Sequence, residues 1–266
     1  AVLVFNQTKV IPARIQVTKE TGGKVRLLYL ETTARGIKVM SDRKLSVGSK
    51  VFVNKRIFFT IERQEEKYYF LKTEMNEEDV GRIFERYGTT PLPPYIKNSP
   101  LSEKKLREKY QTIFAKYKGS VAAPTASLHF TKRLIHKLEA RGIAIKYITL
   151  HVNLGTFAPL TEEHVQKNAL HKEYYEIDKE TAKFLNDAKR AGRPIVAVGT
   201  TVLRTLESAS NKENQIDSPI GSTDLFIREG YRMKMVDGLI TNFHVPQSSL
   251  LMLVSAFIGR EKTLTI

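Results

Sequence analysis

The stretch PIVAVGTTVLRTLES (194–208) carries a four-residue apolar run, 195–198, that stops at Gly199 and passes into two threonines and a helical pattern. A short apolar run bounded by turn signals reads as a buried strand, and the helix then starts at Thr200 or Thr201. A strand feeding a helix in this way is the repeating unit of an α/β sheet. Backbone amides at such a helix start, joined by two hydroxyls, suit a phosphate, a carboxylate or a ribose hydroxyl. An ordinary helix cap is the plainer reading of the same residues.

The alternation continues on both sides of this stretch. Thr131 caps a helix with Leu134, Ile135 and Leu138 inward, and Gly142 stops it. Residues 143–152 read as a strand, and Asp178 opens a helix through Leu185 and Ala188 that ends at Gly192. Asp237-Gly238, between residues 233–236 and 239–242, marks a tight hairpin and makes the sheet mixed. Ser248 or Ser249 then starts a helix that buries Leu250, Leu251, Leu253, Val254 and Phe257. The expected class is α/β: a barrel-like main domain on a mixed sheet.

Residues 13 to 74 follow another rule. Short runs rich in Val, Ile, Phe and Tyr, at 15–17, 24–30, 37–40, 50–53, 58–61 and 68–71, are broken by Gly22-Gly23, Gly36 and Gly48. That spacing predicts a small antiparallel β-barrel. Asn76 caps a helix carrying Val80, Ile83, Phe84 and Tyr87, and three prolines in residues 91–94 mark a linker. The opening run LVFNQTKVIPA (3–13) reads as a strand of the α/β part. The expected organisation is therefore a discontinuous α/β catalytic domain, 1–12 and 91–266, with a β-barrel domain inserted at 13–90.

With 266 residues, 41% of them hydrophobic and 27% charged, the chain is long enough for two domains of ordinary globular composition. Its apolar runs all fall short of the roughly 20 residues that span a bilayer. The opening residues Ala1 to Phe5 lack the basic lead of a secretory signal. Cysteine is absent, which excludes disulfides, thiolate chemistry and cysteine-held zinc or iron–sulfur centres. The expected location is cytoplasmic. A formal charge of +15 says more. Residues 101–146 hold eleven Lys and Arg against three acids. Lys104, Lys105, Arg107, Lys109, Lys116, Lys132 and Arg133 form a candidate surface for a polyanion, although a solvated helix face explains the same charges. No basic amphipathic helix with aromatic anchors argues for a membrane partner.

Four of the six histidines, His129, His151, His171 and His244, fall in polar strings at the ends of apolar runs: AAPTASLHF (122–130), ITLHVNLGTF (148–157), HKEYYEI (171–177) and MVDGLITNFHVP (235–246). Strand ends that converge are where α/β proteins build active sites. His129, His151 and His244 each terminate a strand-like run and are candidate acids or bases, against the plainer role of satisfied structural histidines. Neither His-x-His nor His-Glu-x-x-His occurs, so no metal site is expected. Small residues around Thr125 and Ser127 let a planar ligand approach the backbone, or form a tight packing corner. Glu173, Glu207, Asp224 and Asp237 are the embedded acids, with Asp237 also a natural turn residue, and Arg204 and Glu207 are spaced to face one cleft. No Gly-x-Gly-x-x-Gly, Walker or Gly-x-Ser-x-Gly motif occurs, which argues against dinucleotide, nucleoside-triphosphate and α/β-hydrolase chemistry.

Taken in order, these strings together with FNQTKVIPARI (5–15), PLPPYI (91–96), EKYQTIFA (108–115), DLFIREGYR (224–232) and SSLLMLVSAF (248–257) resemble the S-adenosylmethionine:tRNA ribosyltransferase-isomerase family of queuosine biosynthesis. The resemblance covers nearly the whole chain. It departs from the family at Lys9 and Ala158, where Arg is usual, and at Ser127 and Asn153, where Gly is usual. The family's N-terminal segment and aromatic, Gly-Asp-containing tail have no counterpart in these residues.

The resemblance implies transfer and isomerisation of the ribosyl group of S-adenosylmethionine onto 7-aminomethyl-7-deazaguanine at the tRNA wobble position. Epoxyqueuosine-tRNA, methionine and adenine are the implied products. It implies S-adenosylmethionine as co-substrate, no permanently bound cofactor, no metal, no membrane, and a monomer. Under it, His129, His151, His244 and Glu173 are candidate catalytic groups. Thr125, Ser127, Gly155, Thr156, Gly199, Thr200, Thr201, Arg204, Glu207, Asp224 and Asn242 are candidate substrate contacts. The seven basic residues become candidate tRNA contacts. A non-catalytic tRNA-binding module and a base-exchanging tRNA transglycosylase remain the alternatives. The transglycosylase is expected to bring a zinc site, which the missing cysteines disfavour.

Overall fold

The run VLVFN forms a fully buried strand, β1 (Val2–Asn6), which becomes the middle of a sheet. The structure, a computed structural model, describes all residues except 34, 35, 94, 95, 97, 98, 153–161, 247 and 266. Two compact units emerge, residues 1–9 with 111–266, and residues 10–110.

Along the chain, β2 (Thr8–Val10) is followed by six strands: β3 (Arg14–Lys19), β4 (Lys24–Thr33), β5 (Gly36–Ser41), β6 (Lys50–Phe52), β7 (Phe58–Glu65) and β8 (Tyr68–Lys72). They close into a barrel in the order β3-β4-β5-β8-β7-β6, the inserted barrel that the glycine-punctuated runs predict. Alternation puts Ile15, Val17, Leu27, Val39 and Ile61 inside. Helix α1 (Glu77–Tyr87) is capped by Asn76, whose side chain accepts from Asp79 N, and it adds Val80, Ile83 and Phe84 to that core. After it the chain passes within van der Waals reach of Pro12, so that a Cβ on Gly88 would lie 2.0 Å from the Pro12 carbonyl oxygen.

Helix α2 (Glu103–Lys109) belongs to the same unit. Arg107 donates to Glu103 (3.0 Å) and to the carbonyls of Glu85 (2.9 Å) and Gly88 (2.6 Å), while Glu103 accepts from Thr90 N (2.8 Å). These bonds carry the barrel unit to residue 110, beyond the 90/91 boundary expected from the prolines.

The α/β unit adds β9 (Tyr117–Ser120), which pairs with β2, a 3₁₀ turn at Thr125–His129, α3 (Lys132–Glu139), β10 (Ala144–Leu150), α4 (Glu162–Lys167) and β11 (Ala169–Glu176). Next come α5 (Lys179–Arg190), β12 (Ile195–Val198), α6 (Thr200–Ala209), β13 (Ile220–Leu225), β14 (Gly238–Ile240), α7 (Ser249–Ile258) and α8 (Arg260–Thr265). Thr131, Asp178 and Ser248 cap α3, α5 and α7 through their side chains, as their positions predict.

The sheet order is β13-β11-β10-β1-β12-β14, a curled half-barrel with two free edges. β10, β1, β12 and β14 run parallel, whereas β11 runs antiparallel to both its neighbours, β10 and β13. One face packs Val2, Val4, Ile148 and Ala197 against Leu185 of α5 and Leu203 and Leu206 of α6. The other packs Leu3, Phe5 and Val198 against Ala126, Phe130 and Ile135.

Several local expectations fail, among them Leu134, which lies on the exposed side of α3 while Ile135 is buried. Residues 233–236 form no strand, and Asp237-Gly238 turns no hairpin, because β14 lies parallel to β12. Asp237 instead clips the loop to the start of β12: its N–H donates to Ile195 O (2.8 Å), Oδ2 accepts from Ile195 N (2.9 Å), and Oδ1 pairs with Lys189 (2.7 Å). On α7 only Leu253 is fully buried, since the helix packs on the sheet along one narrow line.

Helix α6 is pinned by two buried charges. Glu207, wholly buried, accepts at Oε1 from the backbone N–H groups of Met235 and Val236 (both 3.0 Å). Its Oε2 takes Lys234 N (2.8 Å) and the Tyr231 hydroxyl (3.1 Å). Arg204 forms an ion pair with Glu173 of β11 in which both side chains are almost fully buried, and its Nε donates to Leu225 O (3.0 Å). Glu207→Ala strands two buried N–H donors and a half-buried third, and we expect it to cost about 4 kcal/mol in urea denaturation. Glu173→Gln alone should cost about 3–5 kcal/mol, while Glu173→Leu with Arg204→Met should recover most of that loss.

Candidate active site

Because β10, β1, β12 and β14 are parallel, their carboxyl ends reach one edge of the sheet. From β1 the chain places β10 on one side and β12 on the other, so β1 marks the switch point at which open α/β sheets bind ligands. The edge carries Asn6 at the end of β1, His151 just after β10, Gly199 just after β12, and Thr241, Asn242 and His244 after β14.

Asn6 organises the centre. Its Oδ1 accepts from Thr8 N (3.1 Å) and Leu150 N (3.2 Å), and its Nδ2 donates to Leu150 O (2.9 Å) and Thr201 Oγ1 (3.4 Å). All four hydrogen-bonding positions of the amide are used, tying the ends of β1 and β10 to the first turn of α6.

His151 lies on one side of this clamp. Its Nδ1 stands 2.9 Å from Thr8 Oγ1, which stands 2.7 Å from Ser120 Oγ. Ser120 Oγ accepts from Val152 N (2.8 Å), which leaves its own proton for Thr8, and the Thr8 proton for His151 Nδ1. The ring is thereby held with Nδ1 as acceptor and Nε2–H outward. It lies flat on Gly119, where a Cβ would stand 2.7 Å from Nδ1 and Cε1. Burial lowers the His151 pKa below its ordinary 6.5, and the Glu176 carboxylate only partly opposes this.

On the other side, Asn242 bridges two groups of the 3₁₀ turn. Its Oδ1 lies 2.8 Å from His129 Nε2, and its Nδ2 donates to Thr125 Oγ1 (2.9 Å). With the carbonyl toward the ring, His129 carries its proton on Nε2 and keeps a lone pair on exposed Nδ1. Ser127, on the same turn, is buried, and its Oγ has no hydrogen-bond partner among the described residues. His244 Nε2 sits 3.1 Å from Thr241 Oγ1, and burial lowers its pKa as well.

Between the two groups stands the start of α6. Gly199 takes a φ of +101° that favours glycine, its N–H donates to Ile240 O (2.8 Å), and no side chain caps the helix. Ala126 of the 3₁₀ turn comes within 3.9 Å of where a Gly199 Cβ would lie. The turn, the helix start and the β14 end are thus neighbours, with the first amides of α6 beside buried Thr200 and Thr201.

The structure therefore gathers Thr125, Ser127, His129, His151, Gly199, Thr200, Thr201, Asn242 and His244 at one edge. Glu173, Arg204 and Glu207 belong elsewhere: they face the protein interior, and the bonds described above spend their charges on α6. Arg204 and Glu207 do not share a cleft, because each reaches to a different neighbour of the helix. Asp224 stands half-buried on β13, and Gly155 and Thr156 lie outside the described residues. Among the basic residues, Lys104, Lys105, Lys109, Lys116, Lys132 and Arg133 are exposed, but Arg107 is a structural clamp with three protein acceptors. Sequence reading missed Asn6, Thr8, Gly119 and Ser120. Asn6 carried the usable signal, a polar residue ending the apolar run of β1.

The family model described as queuosine biosynthesis protein matches residues 1–266. The S-adenosylmethionine:tRNA ribosyltransferase-isomerase of Thermotoga petrophila is 45% identical over 264 residues, covering 97% of this chain and 76% of its own. That of Carboxydothermus hydrogenoformans is 45% identical over 278 residues, covering 98% and 77%. A crystal structure of S-adenosylmethionine tRNA ribosyltransferase from Thermotoga maritima aligns over 99% of this chain and 74% of its own at 30% identity, with a TM-score of 0.45. With its whole described length matched and relatives of nearly half its residues identical, this chain belongs to the queuosine biosynthesis protein family.

Proposed function

We propose that this chain is an S-adenosylmethionine:tRNA ribosyltransferase-isomerase whose active site is the carboxyl edge of β10, β1, β12 and β14. The reaction moves the ribosyl group of S-adenosylmethionine to 7-aminomethyl-7-deazaguanine at the tRNA wobble position, giving epoxyqueuosine-tRNA, methionine and adenine. The names of the relatives support the reaction class. The observation that carries the placement is the pair of oriented imidazoles, His129 and His151, on either side of an uncapped helix start.

The chemistry needs a base for a carbon acid next to a sulfonium, and a proton donor for the departing adenine. His129 is the base. Its Nδ1 lone pair is fixed by the Nε2–H···Asn242 bond and is open to solvent. Transfer of the substrate proton to Nδ1 makes an imidazolium, which the Asn242 carbonyl stabilises through the opposite N–H. His151 presents Nε2–H as a hydrogen-bond donor that steadies the departing adenine and keeps that proton, its Nδ1 being held by the Thr8–Ser120 pair. The proton that adenine takes up comes from water. The amides of Thr200 and Thr201 receive a carboxylate or ribose hydroxyl of S-adenosylmethionine. Exposed Lys116, Lys132 and Arg133 supply positive surface for tRNA in this unit.

Incubation with S-adenosylmethionine and tRNA bearing 7-aminomethyl-7-deazaguanine should release adenine and methionine together, followed by chromatography. S-adenosylhomocysteine in their place would mean methyl transfer and overturn the reading. His129→Ala should lower kcat by about 10²–10⁴-fold; near-normal turnover removes it as the base.

The pH dependence has a definite sign. A histidine whose folded pKa lies below its unfolded value is neutral in the native state, and stability is full above pH 6.5. It declines as pH falls through 6.5 toward the lower folded value, because the unfolded chain binds protons first. Thermal melts should show that acid loss, reduced in His151→Gln. Gly119→Ala, which pushes a methyl into the His151 ring, should lower kcat about tenfold or more while leaving tRNA affinity unchanged in direct binding.

A further inference from the structure

The outer wall of the barrel holds a cavity of about 430 Å³, lined by Arg14, Arg26, Leu28, Met40, Pro93 and Ile96, among others. In the strand register Arg14 of β3 faces Leu28 of β4, and Leu28 faces Met40 of β5. Alternation sends these three side chains outward, since their neighbours Ile15, Leu27 and Val39 are buried in the barrel. Two apolar side chains thus sit in a row where a barrel normally shows polar ones, and Pro93 and Ile96 contribute to the lining.

The charges in the cavity do not balance. Asp42 is committed to Arg26, accepting from its Nε (2.9 Å) and from its backbone N–H (2.9 Å). Arg14 donates Nη2 to Leu92 O (3.2 Å), and its other guanidinium donors have no acceptor among the described residues. Burial and the nearby Arg26 both act against the charge on Arg14, lowering its pKa. A half-buried guanidinium next to a second cation, with one carboxylate between them, favours an incoming anion. The ligand must also present a flat apolar face to Leu28 and Met40.

A nucleotide meets both requirements: a phosphate for Arg14, and a base for an apolar platform edged by guanidinium planes. The volume fits, because small-ligand sites span roughly 300–1,000 Å³. A polymer rather than a free nucleotide is favoured by the surroundings, since residues 10–110 carry 21 Lys and Arg against 13 Asp and Glu. We propose that this cavity seats one unpaired nucleotide of the RNA substrate, with its phosphate on Arg14 and its base on Leu28 and Met40. The proposal rests on the tRNA reading above and gives the barrel a recognition role of its own.

The test is direct tRNA binding by the full chain across about 50–200 mM salt, for wild type, Arg14→Gln and Met40→Glu. Arg14→Gln should weaken binding about tenfold and flatten the salt slope by roughly 0.7–0.9, the loss of one phosphate contact. Met40→Glu keeps Arg14 and its Leu92 bond, yet should also weaken tRNA by placing a carboxylate on the platform. KM for S-adenosylmethionine, and kcat at saturating tRNA, should stay at wild-type values in both. Unchanged tRNA affinity and salt slope in both variants overturn the proposal, as does loss of kcat with tRNA affinity intact. A wild type that binds tRNA through this cavity but releases no adenine would support the cavity and refute the reaction.

Discussion

One side-chain amide sets the geometry of the catalytic unit. Asn6, fully buried at the end of the central strand, gives both donors and takes two acceptor bonds within the unit. Its partners are the turn after β1, both backbone groups of Leu150 at the end of β10, and the first turn of α6. A buried amide without these partners would be costly, so the three ends are fixed together. His151 follows Leu150 directly, and Thr8, its hydrogen-bond partner, is held through its own N–H by the same Asn6. The orientation of the imidazole is thus a consequence of how a sheet core is satisfied.

Much of this was legible because the signals were local. The glycine-broken apolar runs gave all six barrel strands, since closing a barrel needs only alternation and turns. Caps at Asn76, Thr131, Asp178 and Ser248 were readable because a cap is a short-range bond. The strings that end strands brought His151 and Asn242 to one edge, since parallel strands deliver their ends to one place. His129, expected at a strand end, closes a 3₁₀ turn instead and meets that edge through Asn242. What failed depended on long-range partners. Glu173, Arg204 and Glu207 have the residue types of an active site, and only the fold reveals that their partners are β11, β13 and the 234–236 backbone. Asp237-Gly238 has the composition of a hairpin, but Lys189 and the Ile195 backbone claim the aspartate. Arg107 looked like free positive surface and is held by carbonyls that no spacing rule identifies.

These buried charges still serve the site. On the proposed function the amides at the start of α6 receive a ligand, and that start must keep its position without a side-chain cap. Glu207 and Arg204 supply that fixity from farther along the helix, each engaging a different neighbour. The ligand-facing turn is then polar but uncharged, while the ionic groups that hold it are out of reach. Preorganised dipoles of this kind need no rearrangement as charge moves in a reaction.

The same separation resolves an electrostatic conflict. On the proposed function, a chain of net +15 must attract tRNA while accepting the positive sulfonium of S-adenosylmethionine. Arg204, the nearest buried cation in α6, is cancelled by Glu173. Burial lowers the pKa of both His151 and His244, with the Glu176 carboxylate partly opposing it at His151. The exposed lysines lie on surface helices and loops, where water and salt screen them. On the proposed function, exposed positive charge is left for a polyanion and withheld from the strand ends. A neutral imidazole there is compatible with a cationic substrate.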